Sequence, residues 1–122
     1  MITELDVDVL PLTREGQIIG TVMSDPQFQL EEFKTYLDPY RDGLPEAVER
    51  QVTERWADLF RIFHNRRDKI DRVTLWGVHD GSSWKNNDPV PGRTNYPLLF
   101  DRNRQPKRAF DAVVAVPAAR RK

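Results

Sequence analysis

Over residues 2–9 apolar and acidic side chains alternate, with Ile2, Glu4, Asp6 and Asp8 on one side of an extended chain and Thr3, Leu5, Val7 and Val9 on the other. This predicts a strand with one apolar and one acidic face, a pattern shared by any strand whose second face is wet. Pro45 opens the clearest helix, PEAVERQVTERWADLFRIFHNRRDKI, in which Val48, Val52, Trp56, Leu59, Phe60 and Phe63 recur at spacings of three and four as one apolar stripe. Proline suits the first helical turn, Glu46 and Glu49 suit the positive end of the dipole, and His64, Arg66, Arg67 and Lys69 suit the negative end. A second strand, RVTLWGV, sets Val73, Leu75 and Gly77 on one face and Thr74, Trp76 and Val78 on the other. A last helix is predicted from Pro106, burying Ala109, Phe110, Val113 and Val114.

Between these elements the periodicity lapses. From Leu12 to Leu44 the chain is punctuated by Gly16, Gly20, Pro26, Pro39 and Gly43, which predicts loop with a short helix from Leu30 to Tyr36. A second long loop, HDGSSWKNNDPVPGRTNY, follows the second strand, and PLLFD closes it as a short extended piece. Unstructured stretches this long belong to functional sites or to disorder. The order strand, loop, helix, strand, loop, helix describes two consecutive βα units. The intervening helix is long enough to return the chain for parallel pairing.

Composition narrows the function classes. The 122 residues suit one domain or less, and 19 basic against 19 acidic side chains leave no net charge to favour nucleic acid or an anionic membrane. The basic tail at Arg120, Arg121 and Lys122 reads as a solvated end. Cysteine is absent, which removes disulfides and thiolate zinc sites without assigning a compartment. No apolar run nears the roughly 20 residues of a membrane span, and no secretory leader pattern is present.

In parallel α/β barrels the chemistry lies at the carboxyl ends of the strands and in the loops that follow. Glu4 and Asp6 stand late in the first strand, on its non-aliphatic side, and would point to the mouth of such a barrel. Trp76 and Trp84 bracket the end of the second strand and its loop, and flat indoles suit the apolar faces of sugar rings. Trp76 fits core packing equally well, whereas Trp84, in a polar loop, fits the sugar platform better. Trp56 belongs to the helix stripe and His64 to the helix dipole. His79 and Asp80 lack a third metal ligand at a recognised spacing, and Ser82 and Ser83 lack a nucleophile-elbow pattern, so neither pair supports a metal or serine mechanism. No cofactor is expected.

With those residues in place, ITELDVDVLP resembles the nucleophile strand of glycoside hydrolase family 10, the endo-1,4-β-xylanases. VTLWGVHDGSSWKNNDPVPGRTNYPLLFDRNRQPKRAFDAVV resembles that family's last strand, loop and helix. The resemblance implies a retaining hydrolase of xylan on a TIM (β/α)8 barrel, with residues 1–122 as the seventh and eighth βα units, an incomplete barrel of about a quarter of the strands. It assigns Glu4 as nucleophile and Asp6 as the acid that supports it through a histidine from an earlier strand. It also assigns Trp76 and Trp84 to the sugar subsite beside the scissile bond. Such an enzyme forms a glycosyl-enzyme at an ionised nucleophile, while a second carboxyl about 5–5.5 Å away protonates the leaving oxygen and then activates water.

The family's acid/base glutamate lies on the fourth strand and has no counterpart motif here, so the expectation is half a catalytic pair and little activity from this chain alone. Met1 then marks a cut through the enzyme at its seventh strand. The other readings are a non-catalytic carbohydrate-binding fragment, or a partial barrel that assembles with other chains or with the preceding part of the barrel. Xylan or xylo-oligosaccharide is the expected partner, and secretion or a periplasmic location is an expectation from the family alone.

Overall fold

The computed structural model describes residues 1–10, 18, 37–88 and 92–119, with side chains through residue 117. The helix expected from Leu30 to Tyr36 lies outside the described residues. Two short strands, β1 (Ile2–Leu5) and β2 (Val73–Leu75), pair in parallel, and α1 (Glu46–Asn65) connects them before α2 (Arg108–Ala119) closes the described chain. The parallel βα order expected from the sequence is therefore present.

Strand lengths differ from the sequence reading. The alternation runs to Val9 and Val78, but ladder pairing stops at Leu5 and Leu75. Beyond Leu5 the chain pairs with a loop instead: Val7 N–H donates to the Pro97 carbonyl at 3.0 Å and Val9 N–H to Asn95 Oδ1 at 3.2 Å. Extended backbone becomes strand only where a partner strand lies alongside, and period alone cannot supply the partner. The PLLFD segment likewise forms isolated bridges, His79 with Phe100 and Phe100 with Pro106, instead of a strand.

α1 begins where Pro45 predicts and ends at Asn65, five residues before Ile70, because the Arg66 N–H turns back to the Ile62 and Phe63 carbonyls. Its stripe carries the core. Trp56 is fully buried and packs with Val52, Leu99 and Ala109, and Leu5, Val7, Val9, Leu75, Phe100, Phe110 and Val113 surround them. Full burial of an indole is among the larger apolar contributions a domain of this size can have.

α2 starts at Arg108 instead of Pro106, whose segment bridges Phe100. The expected burial of Val114 is corrected: it is 62% exposed, and Val116 is buried in its place. Packing on α1 fixes the inward stripe at Ala109, Val113 and Val116, spaced by four and three, which turns Val114 about a quarter-turn outward. Arg108 ties the two helix starts together, its guanidinium 3.7 Å from Glu49 and 3.9 Å from Glu46. The helices thus cover the side of the sheet that carries Leu5 and Leu75, while Thr74, Trp76 and Val78 stay exposed. Among the described residues no helix is long and apolar enough to cross a membrane.

Candidate functional site

Glu4 sits at an irregularity in the sheet. Ile2 pairs with Val73 and Leu5 with Leu75, so three steps along β1 oppose two along β2. That extra residue is a bulge, and Glu4 takes φ 60° within it, the left-handed region that side-chain-bearing residues seldom adopt. The simple alternation expected for residues 2–9 is thus broken at Glu4. Bulges re-aim side chains beside active sites, and backbone held in this region costs on the order of 1–3 kcal/mol. Glu4 is exposed, and the Trp76 N–H donates to the Leu5 carbonyl at 2.9 Å, which sets Trp76 laterally beside the bulge.

Asp6 and Trp84 meet. The Trp84 indole Nε1–H donates to Asp6 Oδ2 at 2.8 Å, joining the segment after β1 to the loop after β2. Trp84 opens a single 3-10 turn, Trp84–Asn86, which Ser83 caps by accepting the Lys85 N–H on Oγ at 3.1 Å. The Lys85 ammonium lies 4.7 Å from the centre of the Trp84 ring and 3.4 Å from Asp8 Oδ2. Trp76 and Trp84 are 50% and 46% exposed, which makes Trp76 an open surface instead of core.

The loop is held by polar groups that the sequence reading did not single out for structure. Asn95 is fully buried; its Nδ2 donates to Asp8 Oδ1 at 2.7 Å, and its backbone N–H donates to Asn86 Oδ1 at 2.8 Å. Asp38 accepts from both the backbone N–H and the hydroxyl of Thr94, at 2.7 and 3.0 Å. Asp80, weighed from the sequence only as a metal ligand beside His79, is fully buried and accepts the Leu98 N–H at 2.9 Å. Its carboxylate also pairs with Lys107 at 3.0 Å. Burial holds the Asp80 carboxyl above its ordinary value despite the neighbouring ammonium, and burial also lowers Lys107. No single-sequence signal marks these residues, because their partners are distant in the chain. Among the described residues no group of three His, Cys, Asp or Glu side chains could hold a metal ion.

Of the four residues singled out from the sequence, Glu4, Asp6 and Trp76 thus lie at the carboxyl ends of the two strands, and Trp84 in the loop that follows β2. The structure joins Asp6 to Trp84 directly and sets Trp76 beside the Glu4 bulge through the backbone.

Known proteins are similar to this chain in sequence and in fold. The sequence profile of Glycosyl hydrolase family 10 matches residues 1–116. Endo-1,4-beta-xylanase A of Xylanibacter ruminicola is 41% identical over 112 residues, covering 92% of this chain and 29% of its own length. The endo-1,4-beta-xylanase of Geobacillus stearothermophilus is 38% identical over 102 residues, covering 80% of this chain and 30% of its own. Among solved structures, a GH10 endoxylanase retrieved from a sugarcane soil metagenome superposes with a TM-score of 0.76 at 43% identity, over 94% of this chain and 29% of that one. A mutant solved in complex with xylotriose superposes at 0.65 with 34% identity, over 93% of this chain and 28% of that one. This chain therefore spans less than a third of the length of these relatives.

Proposed function

The chain belongs to glycosyl hydrolase family 10, and from that premise we propose that it is the carboxyl-terminal part of a retaining endo-1,4-β-xylanase, supplying the nucleophile but not the acid/base. Glu4 attacks the anomeric carbon of a β-1,4-linked xylose unit, and the bond to the leaving oxygen breaks as a glycosyl-enzyme forms. A carboxyl from an earlier strand, about 5–5.5 Å from the nucleophile, protonates that oxygen and then activates water. Asp6 supports Glu4, and the open indole faces of Trp76 and Trp84 hold the sugar beside the scissile bond.

The observation that carries this reading is the bulge at Glu4, a strained, solvent-facing carboxylate at the end of β1 with two half-exposed tryptophans at the end of β2. Strain of this kind persists where a side chain's aim is worth its cost. Two readings without chemistry by this chain alone also draw on specific features. The bare indoles suit carbohydrate binding, and a described sheet of two strands is short of what an independent sheet needs, which suits assembly with further strands.

Purified chain titrated with xylotriose while tryptophan emission is followed, and assayed on xylan in parallel, tests all three. Absence of turnover is the expected result, and saturable binding beside it favours the carbohydrate-binding fragment. Turnover near that of an intact enzyme, abolished by Glu4→Gln, overturns the assignment of the acid/base to another segment. Binding that emerges only after mixing with the preceding barrel strands of a relative selects assembly.

A further inference from the structure

Trp84 is held at its edge by Asp6 and over its ring by Lys85, both tied to the segment that follows β1. Its indole edge donates to Asp6 Oδ2 at 2.8 Å, and its ring carries the Lys85 ammonium at 4.7 Å, inside the roughly 6 Å reach of a cation over an aromatic face. Lys85 in turn lies 3.4 Å from Asp8 Oδ2. Asp8 is itself fixed, because its Oδ1 accepts from the Leu10 N–H at 2.9 Å and from Asn95 Nδ2 at 2.7 Å. The side chains of Lys85 and Asp8 are 18% and 26% exposed, so this pair is screened less than a surface pair.

We propose that Asp6 and Asp8 are positioning residues for Trp84, Asp6 through the indole edge and Asp8 through Lys85, so that a single indole face is presented to a pyranose ring. This rests on the reading of Trp84 as a sugar platform. Its physical content is rotational: an indole at a half-exposed loop position otherwise samples several rotamers, and ordering it on binding costs affinity. The charge-assisted bond at the edge fixes the ring's rotation, and the ammonium occupies one face and leaves the other open. Oδ2 of Asp6 serves Trp84, and the same carboxylate has a second oxygen with which to act elsewhere in the site.

The test uses the whole chain, labelled with 15N, whose Trp56, Trp76 and Trp84 indole N–H signals are assigned by single Trp→Phe variants. Trp56, fully buried, reports in each sample that the fold is intact. In Asp6→Leu the Trp84 indole N–H should exchange about tenfold faster and the xylotriose dissociation constant should rise about tenfold. Asp6→Asn, which keeps an acceptor of the same shape, should restore most of both. Lys85→Met should weaken xylotriose about threefold while leaving the indole exchange slow. Trp84→Phe keeps an aromatic ring without the donor, and combining it with Asp6→Leu should weaken binding no further than either alone.

Unchanged Trp84 exchange in Asp6→Leu overturns the proposal, as does additive loss in the double variant. A wild-type chain whose Trp84 N–H is protected but which binds no xylotriose sustains the clamp and overturns the carbohydrate reading instead. A wild-type chain whose Trp84 N–H exchanges as fast as a free indole overturns the clamp.

Discussion

The ammonium of Lys107 lies 3.0 Å from Oδ2 of Asp80, a carboxylate with no solvent exposure at all. Lys107 also donates to the Leu98 carbonyl at 2.6 Å and the Tyr96 carbonyl at 3.0 Å, so each of its three protons has an acceptor within reach. This pair pins the loop that carries Trp84 to the segment just before α2. Burial holds Asp80 above its ordinary 3.8 and Lys107 below its ordinary 10.5. In the fold Asp80 keeps its proton where the unfolded chain has lost it, so its contribution falls as pH rises above 3.8 and levels once it ionises. Lys107 behaves in the opposite sense: its contribution falls as pH drops from 10.5 and levels below its folded value.

Removing one partner strands the other. Lys107→Met is expected to destabilise the chain by about 3–5 kcal/mol near neutral pH, because Asp80 is left as an uncompensated buried charge. The deficit should shrink towards pH 4, where Asp80 can fold as the neutral acid, since losing Lys107 removes the main influence that lowers it. Urea unfolding at both pH values checks this, and an equal deficit at the two would contradict it.

Gly77 follows Trp76 with φ +140°, and a Cβ there would stand 2.8 Å from Leu98 Cδ1. Leu98 is fully buried, so yielding would disturb the side chains packed around it. Gly77→Ala should therefore cost on the order of 2–4 kcal/mol from backbone strain plus overpacking. Thermal unfolding measures it. A variant as stable as the parent would mean that Leu98 can shift.

Glu4 holds a backbone conformation that side-chain-bearing residues seldom adopt. Asparagine tolerates the left-handed region better than glutamate does, so Glu4→Asn should leave stability equal or raise it by about 0.5–1 kcal/mol. In a reassembled enzyme the same change should abolish xylan hydrolysis. A clear loss of stability in Glu4→Asn would show that the glutamate side chain itself holds the bulge.

Arg93 is 7% exposed, with Nε and Nη2 buried and without a hydrogen-bond partner among the described residues. A desolvated cation with an unpaired edge is costly, so Arg93→Met, similar in reach and apolar, should raise stability by about 1–3 kcal/mol. Chemical denaturation of the two proteins decides the sign.

What the sequence determined by itself are the features that depend on near neighbours. Spacings of three and four placed Val52 and Trp56 on the inward side of α1, and alternation separated Leu75 from Thr74 and Trp76, because backbone period alone sets those faces. The motifs around Glu4 and Trp84 carried the family. Tertiary structure decided where the strands stop, since Val7 and Val9 found a loop partner instead of a strand, and it chose Val116 over Val114 through the packing of α2 on α1. It also decided the bulge at Glu4, which arises only from register against β2. The contacts that build the site join residues far apart, 78 positions between Asp6 and Trp84 and 27 between Asp80 and Lys107. Such pairings depend on how the folded chain brings its ends together, and no local pattern encodes them.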